Sequence, residues 1–190
     1  MQSDYVRMKC FELVVKEIRK RNTPGATAEL GVFKGEFAQY INWAFPDKKL
    51  YLFDTFEGFD AEEASKEVRS GNATDAFVEA YKQTSIDEVI EKMSYLDKIE
   101  IKQGYFPASL GGLEETFAFV SIDVDFEDSV YEGLKYFYTR LSEGGYIFVH
   151  DYNSSLRGVE RAVDRFEKEM NGRICKMPLC DANGTLVIGK

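Results

Sequence analysis

Hydrophobic and polar positions recur along this chain in two periods, and the order of those periods sketches a fold. Between residues 5 and 20 the apolar side chains Phe11, Val14, Val15 and Ile18 fall at helical spacing, and Asn22-Thr23-Pro24-Gly25 supplies a stop. A first strand is predicted over residues 26–31. After Gly35 a second helix turns Phe37, Ile41, Ala44 and Phe45 to one face, and Pro46 closes it. Continuous apolar runs at 50–53, 117–122 and 146–149 read as parallel strands covered on both faces. Residues 98–102 alternate apolar and charged, which suits an edge strand. Helices are predicted at 129–141 and 157–170, and 173–177 with 185–188 flank Asp181-Ala182-Asn183-Gly184 as an antiparallel hairpin. The expected fold class is α/β: a doubly wound, mostly parallel Rossmann-like sheet ending in an antiparallel hairpin strand, with its ligand at the carboxyl ends of the strands.

At 190 residues the chain reads as one domain, 1–190, with an N-terminal helical segment at 1–24. Residues 60–95 break the strand–helix rhythm with a polar, charged, partly helical insertion. It is either a solvated helix pair or a helical lid over the substrate. The net charge of -9 argues against nucleic acid and against anionic membrane surfaces as partners. No run of 18 apolar residues and no signal-type apolar region occurs, so a soluble, cytoplasmic protein is expected. Cys10, Cys175 and Cys180 form no C-x-x-C pair, which leaves neither a disulfide framework nor a zinc knuckle.

The strand ends carry the chemistry. Gly31-Val32-Phe33-Lys34-Gly35 has two glycines where a dinucleotide fingerprint needs three, and Glu29 precedes it. A carboxylate there repels pyrophosphate but suits a cofactor bearing positive charge and no phosphate, which S-adenosylmethionine is. Glu29, Gly31, Val32, Phe33 and Gly35 are therefore candidate cofactor contacts. Asp54 follows 54 − 29 = 25 residues after Glu29, the place for an acid that accepts two bonds from a ribose diol, with Thr55 and Phe56 beside it. Gly104, Tyr105 and Phe106 follow the edge strand as candidate cofactor contacts, with Phe56 or Tyr105 and Phe106 covering the adenine. Asp123 and Asp125 close one strand and His150 and Asp151 the next. Such a cluster repels itself unless a cation lies between its members, so a divalent metal is expected. Asp128 reads as a helix cap. His150 is the only histidine, and no G-x-S-x-G elbow accompanies it, so a serine hydrolase has no support.

The stretches AELGVFKG, YLFDTFEGF, SIDVDFEDSVYEGLKYFYTRLSEGGYIFVHDY and RAVDRFEKE together resemble the macrocin O-methyltransferase family over most of residues 26–170. These are S-adenosylmethionine-dependent enzymes that methylate sugar hydroxyls on macrolide and related natural products. The resemblance implies a Rossmann-like methyltransferase fold with magnesium held at the tips of the fourth and fifth strands. Asp123 and Asp151 match its ligand positions, and Asp123 also adjoins the cofactor. His150 stands where the family usually shows an aspartate; imidazole suits manganese, iron or zinc better than magnesium, so manganese joins magnesium as the expected ion. The implied reaction is methyl transfer to a hydroxyl of a small molecule or sugar, with Asp123 or His150 taking the proton. A homodimer is the assembly that the resemblance allows. Two alternatives stay open: a nicotinamide-dependent oxidoreductase reusing Asp54, and a catalytically inactive S-adenosylmethionine-binding protein keeping Glu29 and Asp54.

Overall fold

The structure is a computed structural model that describes residues 4–71, 73–154 and 157–190. Residues 1–3 of the expected N-terminal segment and residue 72 of the insertion lie outside the described residues. The chain opens with α1 (Tyr5–Arg21), whose first turn is capped by the Asp4 side chain and whose end is set by Asn22 in the left-handed conformation. There follow β1 (Ala26–Leu30), α2 (Ala38–Ala44) and β2 (Leu50–Asp54). Three short helices, α3 (Ala61–Arg69), α4 (Asp75–Ala80) and α5 (Ile86–Glu91), make up the insertion. Then come β3 (Ile99–Gln103), β4 (Phe117–Ile122), α6 (Glu127–Arg140), β5 (Leu141–Val149), α7 (Gly158–Glu169), β6 (Cys175–Pro178) and β7 (Leu186–Gly189).

The strands form one seven-stranded sheet in the order β3-β2-β1-β4-β5-β7-β6. β1 to β5 run parallel, and β7 runs antiparallel between β5 and β6. The expected mixed α/β sheet with an antiparallel end is what the chain forms, and β3 is its edge. The reversal of strand order beside β1 and β4 makes the crevice at their carboxyl ends the natural ligand position.

Both faces of the sheet are covered. Phe11, Val14, Val15 and Ile18 of α1 pack with α2, Val89 and Met93 against Leu50, Leu52, Phe119 and Phe148. On the other face α6 and α7 bring Val130, Leu134, Phe137, Val159, Val163 and Phe166 onto Leu30, Phe53, Val120, Ile122 and Val149. The insertion divides between two environments. Its end, through Val89 and Met93, belongs to the main core, whereas α3 and α4 form a satellite cluster of Ala64, Ala73 and Phe126 with Phe59, Val68, Phe77 and Val78.

Two boundaries differ from the sequence reading. Leu141 ends no helix; it begins β5, paired with Phe117 across a register shift in β4. Asp128 does not cap α6. It lies in the first turn and pairs with Lys66 at 2.5 Å and Arg165 at 3.2 Å, while the N-cap position is Phe126 without a side-chain cap. Among the described residues no helix is long and apolar enough to cross a membrane.

Candidate active site

At the carboxyl ends of β1, β2 and β4 a cavity of about 80 Å³ opens. Its lining combines Gly31, Phe33, Phe53, Asp54, Thr55, Gly104, Tyr105, Phe106, Asp123 and Asp125 with Phe59, Asp60, Glu63 and Tyr81 from the insertion. The turn after β1 presses directly on β4. A Cβ on Gly31, which has φ +87°, would lie 2.6 Å from the Asp123 carbonyl carbon, so only glycine lets the two strand tips meet there. Phe33, Phe56, Asp125 and Asp151 also hold positive φ. Such strain is unusual for side-chain-bearing residues, and here it gathers on one edge of the sheet.

Asp54 organises the glycine turn from the neighbouring strand. Its Oδ2 accepts the backbone N–H groups of Val32 at 2.7 Å and Phe33 at 2.8 Å, and its Oδ1 accepts that of Phe56 at 2.8 Å. Glu63 of α3 does the same for α6: its Oε1 accepts Ser129 N–H at 3.0 Å, and its Oε2 accepts the Ser129 hydroxyl at 2.6 Å and the Tyr105 hydroxyl at 2.8 Å. A buried carboxylate from the insertion thus completes the start of a core helix.

Beside the cavity the ligand atoms of Asp123, His150 and Asp151 lie within 4.8 Å of one another. His150 Nδ1 is 3.1 Å from Asp123 Oδ1 and 3.1 Å from Asp151 Oδ2, yet it is buried with no hydrogen bond of acceptable angle to either. Neighbouring donors around an octahedral ion with bonds of about 2.1 Å stand about 3 Å apart. The two 3.1 Å separations match that spacing, and the mixed oxygen and nitrogen donors suit manganese better than magnesium.

A family model described as Macrocin-O-methyltransferase (TylF) matches residues 4–186. The chain belongs to the macrocin O-methyltransferase family. It is accordingly an S-adenosylmethionine-dependent O-methyltransferase, and the nicotinamide alternative falls. Similar solved structures include the O-methyltransferase NovP, 20% identical with a TM-score of 0.78, covering 97% of this chain and 79% of that one. The calicheamicin methyltransferase CalS11 is 13% identical with a TM-score of 0.72 over 96% of this chain and 78% of that one. The O-methyltransferase TomG from Streptomyces achromogenes, solved in complex with SAM, is 17% identical with a TM-score of 0.58 over 94% and 78%. At these identities the likeness speaks for the fold. No curated protein matches the sequence.

In this methyltransferase the polar groups around the strand tips are strongly coupled. Burial alone pushes the Asp123 carboxyl up, but His150 and Arg7 outweigh it and hold its pKa down at about 2. Burial works against the imidazolium of His150, yet Asp123 and Asp151 raise its pKa to about 10. Burial, then Asp123 and Asp151, push Asp125 well above the carboxylate range. Tyr81 is likewise raised, by burial and then by Asp125, Asp123 and Asp151.

The candidate cofactor contacts separate into two groups. Gly31, Phe33, Asp54, Thr55, Gly104, Tyr105, Phe106 and Asp123 line the cavity; Glu29, Val32, Gly35 and Phe56 do not. Glu29 is set back from the mouth. It is 2% exposed inside β1, opposite Ser121 of β4, with Oε2 unpartnered. Burial first and then Asp123 raise its pKa well above 4.5, and Arg7 offsets only part of this. Phe56 is 7% exposed and packs in the α1–α2 core. Arg7, Phe59, Glu63 and Tyr81 escaped the sequence reading. For Arg7 and Glu63 a signal existed: each is a charged residue on the buried face of an amphipathic helix, where a charge persists only with a partner.

Proposed function

We propose that the protein methylates a hydroxyl of a small uncharged or cationic molecule, sugars included, with help from a divalent cation at Asp123, His150 and Asp151. The convergence of those three donors, of which Asp123 lines a cavity that other acids also line, carries the reading. Asp54, Asp60, Glu63, Asp123 and Asp125 line that cavity with no lysine or arginine among its described lining residues. Its potential disfavours anionic acceptors.

Each residue has a part in this scheme. Gly31 permits backbone-level approach of the cofactor, and Phe33, Tyr105 and Phe106 offer aromatic walls. An ionised carboxylate has about four lone-pair sites, and backbone N–H groups occupy three of Asp54's. It therefore has room for one ribose hydroxyl, where the sequence reading foresaw two bonds. When bound, S-adenosylmethionine supplies the methyl group and the cation lowers the pKa of the attacking hydroxyl. Asp123 and Asp151 orient that hydroxyl and balance its charge. Metal-free His150 carries its own proton near neutrality, so it cannot act alone as the base. Asp123, whose carboxylate lines the cavity, is then the remaining candidate of the two for the base.

We read residues 1–190 as a single catalytic domain in which α3, α4 and Tyr81 form the cover. Val89 and Met93 assign the remainder of the insertion to the core.

The test is calorimetry with S-adenosylhomocysteine, Mg²⁺ and Mn²⁺, followed by a screen of neutral and anionic hydroxyl compounds for methyl transfer. Chelator and Asp123→Asn should abolish transfer to any accepted compound while leaving S-adenosylhomocysteine affinity within about threefold. Full transfer in chelator by metal-free protein would reject the cation, and preference for phosphorylated acceptors would reject the acceptor class.

A further inference from the structure

Arg7 lies on the buried stripe of α1, in line with Phe11, Val14, Val15 and Ile18, where an apolar side chain would complete the packing. It is 9% exposed, and its guanidinium carbon stands 4.2 Å from the centre of the Phe37 ring. One terminal nitrogen reaches Ser121 Oγ and Asp123 Oδ2, each at 3.4 Å. A largely buried ion pair is a poor way to gain stability, because desolvation consumes much of the attraction. Its geometry does something else. Asp123 presents Oδ2 to Arg7 and Oδ1 to His150, so its two oxygens are committed to opposite sides.

The helix that carries Arg7 is itself tied to the other half of the site. Asp4 Oδ1 caps α1 at Val6 and Arg7, and Asp4 Oδ2 accepts Ala182 N–H at 2.7 Å. The same loop accepts backbone N–H groups from the segment after His150 and Asp151: Tyr152 to Gly184 at 2.8 Å and Asn153 to Asn183 at 3.2 Å. A ring of contacts thus runs from Asp151 through this loop and Asp4 to Arg7, then through Asp123 and His150 back to Asp151. Displacing α1 would move Asp123 relative to the tip of β5.

We propose that Arg7 is a positioning residue that turns Asp123 Oδ1 toward His150 and Asp151, making α1 part of the catalytic apparatus. Its consequence for metal affinity rests on the cation reading above; its consequence for His150 does not.

The test uses full-length Arg7→Met, which keeps the aliphatic packing, and Arg7→Lys, which keeps the charge on a compact ammonium in place of the planar guanidinium. His150 is the sole histidine, so its ring ¹⁵N and ¹H signals report on one site. In Arg7→Met those signals should shift in metal-free protein, and Mn²⁺ affinity should fall about 10–100-fold, the usual effect of removing a partner behind a metal ligand. S-adenosylhomocysteine affinity should stay within about twofold, and millimolar methylguanidinium should restore both readouts. If wild-type protein binds no Mn²⁺ while the His150 signals still shift, the cation reading fails and Arg7's role stands. Unchanged His150 signals in Arg7→Met would overturn the proposal. So would a loss of thermal stability and S-adenosylhomocysteine affinity together without methylguanidinium rescue, since that marks packing alone. Should Arg7→Met not fold, Arg7→Lys decides: wild-type ring signals there would refute a positioning role for the guanidinium.

Discussion

Replacing Gly31 with alanine isolates the contact on which the cavity is built. The added Cβ would stand 2.6 Å from the Asp123 carbonyl carbon and 2.9 Å from Val124 Cγ1, against a comfortable carbon–carbon separation of about 3.5–4.0 Å. The carbonyl cannot retreat freely. Asp123 N–H is bonded to Leu30 at 2.8 Å, and His150 N–H to Ile122 at 2.9 Å, so the strand tips must separate by about 1 Å. Positive φ at alanine costs about 1–2 kcal/mol, and overpacking adds about 1–3 kcal/mol. The total of about 2–5 kcal/mol lowers Tm by about 4–20 °C in a chain of this size. Gly172→Ala is the matched control. It has φ +67° and no atom within 4 Å of the added Cβ, so it should lose only about 1–2 kcal/mol for the backbone. Thermal unfolding of both variants, with S-adenosylhomocysteine calorimetry, separates strain from collision. If Gly31→Ala melts no lower than Gly172→Ala and binds S-adenosylhomocysteine normally, the close approach at Gly31 does not shape the cofactor site.

Asp54→Asn retains one carbonyl oxygen for three backbone donors and sets an amide N–H₂ against the rest, so stability should fall by about 1.5–3 kcal/mol and S-adenosylhomocysteine affinity at least tenfold; unchanged chemical denaturation would show that the turn needs no such anchor. Glu63→Ala removes three bonds that fasten α3 to Ser129 and Tyr105, and hydrogen exchange over residues 61–69 should accelerate at least tenfold while β4 stays protected. Equal protection before and after would mean that the satellite cluster alone holds the cover. Glu29 tests the buried acid. Its folded pKa is raised, so the folded state holds a proton that the unfolded state releases, and stability falls as pH rises above about 4.5. Glu29→Gln should flatten this decline; parallel stability curves for the two proteins would rule the effect out.

The layering of the sheet was legible because its signals are local. Helical spacing in α1, α6 and α7 and unbroken apolar runs in β2 and β4 each report their own burial. What failed to show was non-local. Ser142-Glu143-Gly144-Gly145 falls between the helix predicted to 141 and the strand predicted from 146, but pairing of Leu141 with Phe117 draws it into β5. The strand order, with β7 lying between β5 and β6, also depends on contacts that no local period records. Glu29 shows the same limit at one residue. Its nearness in sequence to Gly31 suggested the mouth of the site, yet β1 runs on to Leu30 within a sheet covered on both faces, so Glu29 is buried inside the strand beneath the turn.

The acids at the strand tips were readable because parallel strands must deliver their next residues to one edge, which fixed Asp54, Asp123, His150 and Asp151 without any knowledge of distances. The groups that hold those acids follow a different logic. Arg7 and Asp123 are 116 residues apart, and Glu63 and Ser129 are 66 apart. In the sequence each appears only as a discord: a charge placed where its helix is otherwise buried. That discord states that a partner exists without saying which. In α1 the partner is the carboxylate at the centre of the proposed reaction, and in α3 it is the start of α6 beside the cavity. Charges on the buried faces of these two helices therefore join the N-terminal helix and the cover to the same crevice, and a substitution at either place should be read first at the site and only then in the packing of its own helix.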